Sequence, residues 1–152
     1  MNTGMNKYMP AVEKPTAIAL TAPPLPHHIL LAEDDDDIRF FFAKILVDAG
    51  YLADTAEDGY AAWEMLKIKS YQLLITDYDM PKMTGLELIV KLRSAKIAMP
   101  IIFISGKMPI KGFNEYSWLY IDAVMAKPFS ISDLLKTTKE VLDVSTATRE
   151  RV

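Results

Sequence analysis

Glu33 and Asp34 directly follow the apolar run Ile29-Leu-Leu-Ala32. Asp77 closes Leu73-Leu-Ile-Thr76, Ser105 closes Ile101-Ile-Phe-Ile104, and Lys127 follows Asp122 to Ala126. Short apolar runs bounded by turn residues read as buried strands. Parallel strands all end at one sheet edge, where open α/β folds place their chemistry, so these side chains can converge on one pocket. Three carboxylates there repel one another, and each resists ionising without a cation. A hard divalent ion removes that cost. Oxygen ligands in this number, with room left for water, suit Mg2+ better than zinc, for which the sequence has no His/Cys set. Lys127 and the Ser105 hydroxyl are the donors a phosphoryl group needs, and a metal would neutralise its other oxygens. A carboxylate beside Mg2+ and a lysine can accept phosphate, forming an acyl phosphate.

Each residue also has a plainer reading. Glu33 to Asp37 is five acids in a row, and acids favour a helix N-terminus, so the run can be a solvated cap. That explains Asp35, Asp36 and Asp37 well, with Asp35 or Asp36 as the capping residue. It explains Glu33 and Asp34 poorly, because they directly follow a buried strand. Asp77 alone could equally be a hydrogen-bonded structural acid. His27 and His28 are adjacent on a strand start, so they point to opposite faces and make a poor joint metal site.

The elements that must position these groups are legible in order. After the first strand, Ile38, Phe41, Phe42, Ile45 and Leu46 recur at helical spacing, and Gly50 stops that helix. Tyr51 to Ala56 is a second strand ending in Glu57-Asp-Gly59. A helix over roughly 60–69 turns Ala62, Met65 and Leu66 inward. The Asp77 strand follows, then a turn forced by Met80-Pro81 and Gly85, then a helix over about 84–95. Pro100 restarts the chain into the Ser105 strand. Residues 107–120 carry Pro109, Gly112 and several aromatics, and are expected to form a short or irregular helix. After the fifth strand, Ser130 and Asp133 make a capping-box-like pair, opening a helix to about Val144. Strand and helix thus alternate five times with connections too long for hairpins, which means a parallel sheet with helices on both faces.

Composition bounds the rest. The 152 residues are 51% hydrophobic and 24% charged, which suits one soluble globular domain with a real core. A net charge of −3 gives no basic footprint, so direct nucleic-acid binding is unsupported. There is no cysteine, which excludes disulfides and thiolate chemistry. No apolar run reaches a membrane span, and the N-terminus lacks a signal pattern, so a cytoplasmic location is expected. Residues 1–27 carry five prolines and are expected to be a disordered tail. Residues 28–144 are the expected domain, and 145–152 a polar, frayed C-terminal tail.

The ordered set Ile-Leu-Leu-Ala-Glu33-Asp34, Asp77 with Met80-Pro81 and Gly85, Ser105-Gly106, and Lys127-Pro128-Phe129 resembles the receiver domain of two-component response regulators, here of the stand-alone type. The resemblance covers roughly residues 28–144. It implies a flavodoxin-like, doubly wound five-stranded sheet of order 2-1-3-4-5. It implies that Glu33, Asp34 and Asp77 bind Mg2+, completed by the backbone carbonyl of Asp79. Asp77 would take phosphate from a phosphohistidine, Ser105 would be the hydroxyl that moves toward it, and Lys127 its ion-pair partner. The Lys127–Pro128 bond is usually cis in that family. A histidine kinase or phosphotransfer protein is the expected donor. With no output domain evident, the signal would pass to a separate effector protein by conformational change. The domain is not expected to be an enzyme beyond self-phosphorylation and autodephosphorylation, and a homodimer stays open.

One position departs from the family pattern. Three residues before the lysine stands Val124, where the family usually has Tyr or Phe. A β-branched valine has no large swing to offer, so Phe103, Met108 or Tyr116 would have to substitute, with the surface change expected in 107–120. This departure is the argument for a receiver-like interaction module that does not use phosphate. A haloacid-dehalogenase-type phosphatase would also use an acid pair like Asp77 and Asp79 with a later Ser and Lys. Those enzymes place further metal-binding acids after the lysine, whereas Glu33 and Asp34 precede Asp77.

Overall fold

The computed structural model describes residues 25–106 and 117–150. Five strands form one parallel sheet: β1 His28–Ala32, β2 Leu52–Ala56, β3 Leu73–Asp77, β4 Ile101–Ser105 and β5 Ala123–Ala126. Their order is β2-β1-β3-β4-β5. The four α-helices among the described residues are α1 Asp36–Asp48, α2 Gly59–Ile68, α3 Gly85–Ser94 and α4 Ile131–Glu150. The parallel sheet with helices on both faces is what the alternation of runs predicts, and its strand order is the doubly wound one that the family resemblance implies.

The alternation of side chains along each strand sorts the core into two layers. Leu30, Ala32, Leu74, Ile101 and Phe103 point to one face, where Ala62 and Leu66 of α2 and Leu88, Ile89 and Leu92 of α3 cover them. Ile29, Leu31, Leu73, Ile75, Ile102 and Ile104 point to the other, under Leu46 of α1 and Leu134, Val141 and Leu142 of α4. Of the three interior strands, β3 and β4 are buried along their whole length. That is why they read as continuous apolar runs rather than as alternating ones.

Local signals set the helix ends. Asp35 caps α1, its side chain accepting from the N–H of Ile38, so the cap is Asp35 rather than Asp36, which pairs with Arg39 instead. Gly50 adopts a φ of 100°, the left-handed conformation that lets a helix stop and turn. Asp58 and Thr84 cap α2 and α3. Ser130 and Asp133 do form a reciprocal capping box: the N–H of Asp133 donates to Ser130 Oγ at 3.0 Å and that of Ser130 to Asp133 Oδ2 at 3.2 Å.

Several expectations need correction. Helix α4 does not end near Val144; it continues to Glu150, so 145–150 is helix rather than a frayed tail. Phe41 lies on the helical strip expected to be apolar, yet it is 48% exposed, because α1 buries the flank carrying Leu46. The expected helix at 107–120 falls mostly outside the described residues; 117–119 form a single 3-10 turn. The expected tail over 1–24 also lies outside them. No helix among the described residues is long and apolar enough to cross a membrane.

At the edge of the sheet opposite the acids, Arg93 ties distant pieces together. Its guanidinium donates to the carbonyls of Leu119, Ile97, Met99 and Tyr120 at 2.6 to 3.0 Å. One side chain thus joins the end of α3 to the approaches of both β4 and β5.

Candidate functional site

Strand order brings the acids together. β1 lies between β2 and β3, with Ala32 in register with both Ala56 and Thr76, so the residues just beyond Ala32 and Thr76 are neighbours at the carboxyl edge. Glu33 prolongs the ladder by donating its N–H to the Ala56 carbonyl at 3.1 Å. Carboxylate oxygens of Glu33, Asp34 and Asp77 then all lie within 4.8 Å of one another. Among the described residues this is the one group of three such acids. Glu33 and Asp77 are buried, whereas Asp34 faces solvent.

Lys127 reaches this group from the end of β5. Its Nζ stands 3.1 Å from Asp77 Oδ1 and 4.0 Å from Glu33 Oε2. The Lys127–Pro128 bond is cis, and the Lys127 N–H donates to the Ser105 carbonyl at 3.0 Å. Ser105, 1% exposed, ends β4 one register step beyond the Asp77–Ile104 pair. The structure therefore gathers Glu33, Asp34, Asp77, Ser105 and Lys127 at one edge. Asp79 follows in the exposed turn after β3.

One lysine does not balance three acids, and the acids show it. Burial pushes the Glu33 carboxyl from an ordinary 4.5 up to about 7; the Asp35 N–H, which donates to it at 3.2 Å, opposes the rise, and the Asp77 charge adds to it. Burial likewise raises Asp77, against the pull of its ion pair with Lys127. Burial alone would lower Lys127, but the charges of Asp77 and Glu33 overcome it and hold the ammonium above its usual range. Oxygen donors with negative charge in excess fit a hard divalent cation.

The backbone around the site is held by groups that sequence reasoning missed. Arg39 Nη1 donates to the Glu33 carbonyl at 2.9 Å and approaches that of Asp34 at 3.5 Å, fixing the acidic turn. The only signal was a lone base in the first turns of an otherwise acidic helix start. Thr76 Oγ1 donates to the Asp77 carbonyl at 3.0 Å. A Cβ on Gly85 would meet that carbonyl oxygen at 2.0 Å, so the chain can return past Asp77 only as glycine. The Gly85 N–H donates to Tyr78 O at 2.9 Å, closing the loop.

Val124 packs at the margin of the layer beneath α2 and α3, opposite Phe103 in the β4–β5 register. Phe103 is buried and meets the ring of Tyr78, the residue after Asp77, edge-on at 5.7 Å and 88°. Met108 and Tyr116, the other substitutes considered for the missing aromatic, lie outside the described residues. His28 makes no metal site with His27: its Nε2 stands 3.2 Å from Asp54 Oδ2, and His27 faces Tyr51.

Residues 29–139 match the sequence model of the response regulator receiver domain. The chain belongs to that family. It is 38% identical over 115 residues to the response regulator receiver protein CpdR of Brucella abortus (strain 2308), covering 75% of this chain and 95% of that protein. It also matches longer transcriptional regulatory proteins, of which it spans about half the length. Among solved structures it resembles the chemotaxis response regulator CheY4 of Vibrio cholerae, with a TM-score of 0.69, 30% identity, and coverage of 76% of this chain and 98% of that one. It is similar too to the response regulator TrrA of Thermotoga maritima, solved in complex with Mg2+–BeF, with a TM-score of 0.68, 28% identity, and coverage of 76% and 98%. Receiver domains are signalling domains of two-component systems and bind Mg2+ at an acidic pocket. Glu33, Asp34 and Asp77 form an acidic cluster at the carboxyl edge of this sheet.

Proposed function

We propose that this receiver domain is a phosphoacceptor in a two-component phosphorelay, and that Asp77 takes the phosphoryl group from a phosphohistidine. The observation that carries this reading is the buried Asp77, 3.1 Å from Lys127 and within ligand distance of Glu33 and Asp34. An oxygen of the Asp77 carboxylate attacks phosphorus, the P–N bond breaks, and its electron pair returns to the imidazole. Lys127, already paired with Asp77, follows the charge onto the phosphoryl oxygens. Ser105 offers a hydroxyl donor from the adjacent strand. Glu33, Asp34, Asp77 and the Asp79 carbonyl would hold Mg2+, which when bound neutralises charge on the acids and on the phosphoryl oxygens alike.

A protein donor needs a surface beside the site. Phe41 meets Phe42, and Phe42 meets Phe129 just past Lys127 at 5.5 Å between centroids. Phe40 and Phe41 stand exposed, so an apolar strip beside the acids supports docking of a histidine kinase or phosphotransfer protein. The signal then passes to a separate effector. A second reading, a module that does not use phosphate, draws support from Val124 alone.

Incubation with acetyl phosphate and Mg2+, followed by intact mass, should show one added phosphoryl group. It should be lost in Asp77→Asn and with chelator. Labelling that persists in Asp77→Asn would move the site elsewhere, and no labelling of the wild type would favour the phosphate-independent module.

A further inference from the structure

The loop from Tyr78 to Thr84 carries the Asp79 carbonyl, and it is gripped from two sides. On the inner side lies the contact of Gly85 with the Asp77 carbonyl described above. On the outer side stands the corner where β2 turns into α2. A Cβ on Gly59 would meet Met83 O at 2.4 Å and Met83 Cβ at 2.9 Å. Gly59 has no left-handed φ, so its requirement is for space rather than for conformation. Met83 is partly buried against the α2/α3 layer and Met80 is buried within it, so the loop cannot retreat outward without lifting both.

The neighbouring residue completes the corner. Asp58 is 4% exposed, and its two carboxylate oxygens serve different elements. Oδ1 accepts from the Ala61 N–H at 2.7 Å, capping α2. Oδ2 faces Lys82 Nζ at 3.4 Å, across to the loop. Lys82 itself sits at a φ of 69°, a left-handed conformation costly for a residue with a side chain. The ammonium is well exposed, so the ion pair alone is weak. The steric seat of Met83 on Gly59 therefore carries most of the hold, and Asp58 fixes the helix start that presents that glycine.

We propose that the Asp58–Gly59 corner is a positioning element of the phosphoacceptor site, setting the height of the loop that presents the Asp79 carbonyl and thereby the affinity for Mg2+. The inference rests on the phosphoacceptor reading above. It assigns no contact with metal or phosphate to either residue; both act through Met83 and Lys82. Groups that orient ligands from behind commonly change metal affinity when replaced, by about 10- to 100-fold.

The test uses the full chain, titrated with Mg2+ alone by calorimetry and then assayed for acetyl-phosphate labelling across Mg2+ concentrations. Gly59→Ala pushes Met83 and should raise the Mg2+ dissociation constant about tenfold or more, with labelling restored toward wild type at saturating Mg2+. Asp58→Asn keeps a capping oxygen and loses only the charge facing Lys82, so its shift should be small. Arg93→Met, at the opposite edge, serves as a destabilised control whose Mg2+ dependence should stay at the wild-type value. If Gly59→Ala does not fold, Asp58→Ala introduces no new atom and should shift Mg2+ affinity in the same direction. A wild-type protein that binds no Mg2+ would remove the underlying reading. A wild type that binds Mg2+ normally, with Gly59→Ala or Asp58→Ala merely losing stability like Arg93→Met, would overturn the positioning role itself.

Discussion

Replacing Glu33 by glutamine should stabilise the metal-free protein while weakening its hold on Mg2+. Glu33 is 3% exposed and shares its pocket with Asp77 and Asp34, so its negative charge is kept in the folded state against both burial and repulsion. Its carboxyl stands at about 7 in the fold against an ordinary 4.5. Because the folded value is raised, the folded state binds the proton more tightly than the unfolded one. Relative to a neutral side chain, Glu33 therefore costs nothing below pH 4.5, and its cost grows between pH 4.5 and 7. At pH 8 that cost is on the order of 3 kcal/mol, a net figure in which the opposing pulls of the Asp35 N–H and Lys127 are already counted. Glutamine keeps an oxygen to accept the Asp35 N–H and removes the charge. Urea unfolding in chelator should thus show Glu33→Gln more stable than wild type at pH 8 and equal to it at pH 4.5. With Mg2+ present that advantage should shrink, since binding to the folded state adds stability as the logarithm of the Mg2+ concentration over the dissociation constant. A Glu33→Gln protein that unfolds at lower urea than wild type at pH 8 in chelator would refute the charge argument.

Further outcomes follow from the same geometry. Asp34→Ala should weaken Mg2+ binding by at least about tenfold in a calorimetric titration, whereas Asp35→Ala should cost about 1 kcal/mol of stability as a lost cap and leave Mg2+ affinity near wild type. Gly85→Ala places a methyl against the Asp77 carbonyl at 2.0 Å; it should cost about 3 kcal/mol in urea unfolding, at the top of the overpacking range, and an unchanged midpoint would show that the loop can yield. Arg93→Met removes the donors to four carbonyls and should cost about 2 to 4 kcal/mol, with the Mg2+ dependence of labelling untouched. Phe41→Ser should alter stability by no more than about 0.5 kcal/mol as an exposed substitution, yet slow phosphotransfer from a kinase without slowing labelling by acetyl phosphate; equal effects on both donors would argue against docking on α1.

What was legible in the chain was whatever local periodicity and turn chemistry dictate. The apolar runs ending in Glu33, Asp77, Ser105 and Lys127 marked the strands and their edge, because a parallel sheet buries both faces of its central strands. Gly50 and the Ser130–Asp133 pair marked helix ends through local backbone conformation and bonds spanning three residues. The parallel sheet with helices on both faces followed from those elements alone. Tertiary structure decided the rest. Glu33 comes within 4.8 Å of Asp77 because β1 is inserted between β2 and β3, an order that the family resemblance implied but that no window of local pattern contains. The capping role went to Asp35 over Asp36 through a backbone angle at one residue. Phe41 stayed exposed because the sheet took the Leu46 flank of α1, and α4 ran past Val144 although its last residues are polar. The seat of Met83 on Gly59 joins residues 24 positions apart, with no motif to announce it. Local pattern records which face a residue prefers; which neighbour it meets depends on how the strands are ordered and how far each loop is pressed against the next element, and those are properties of packing.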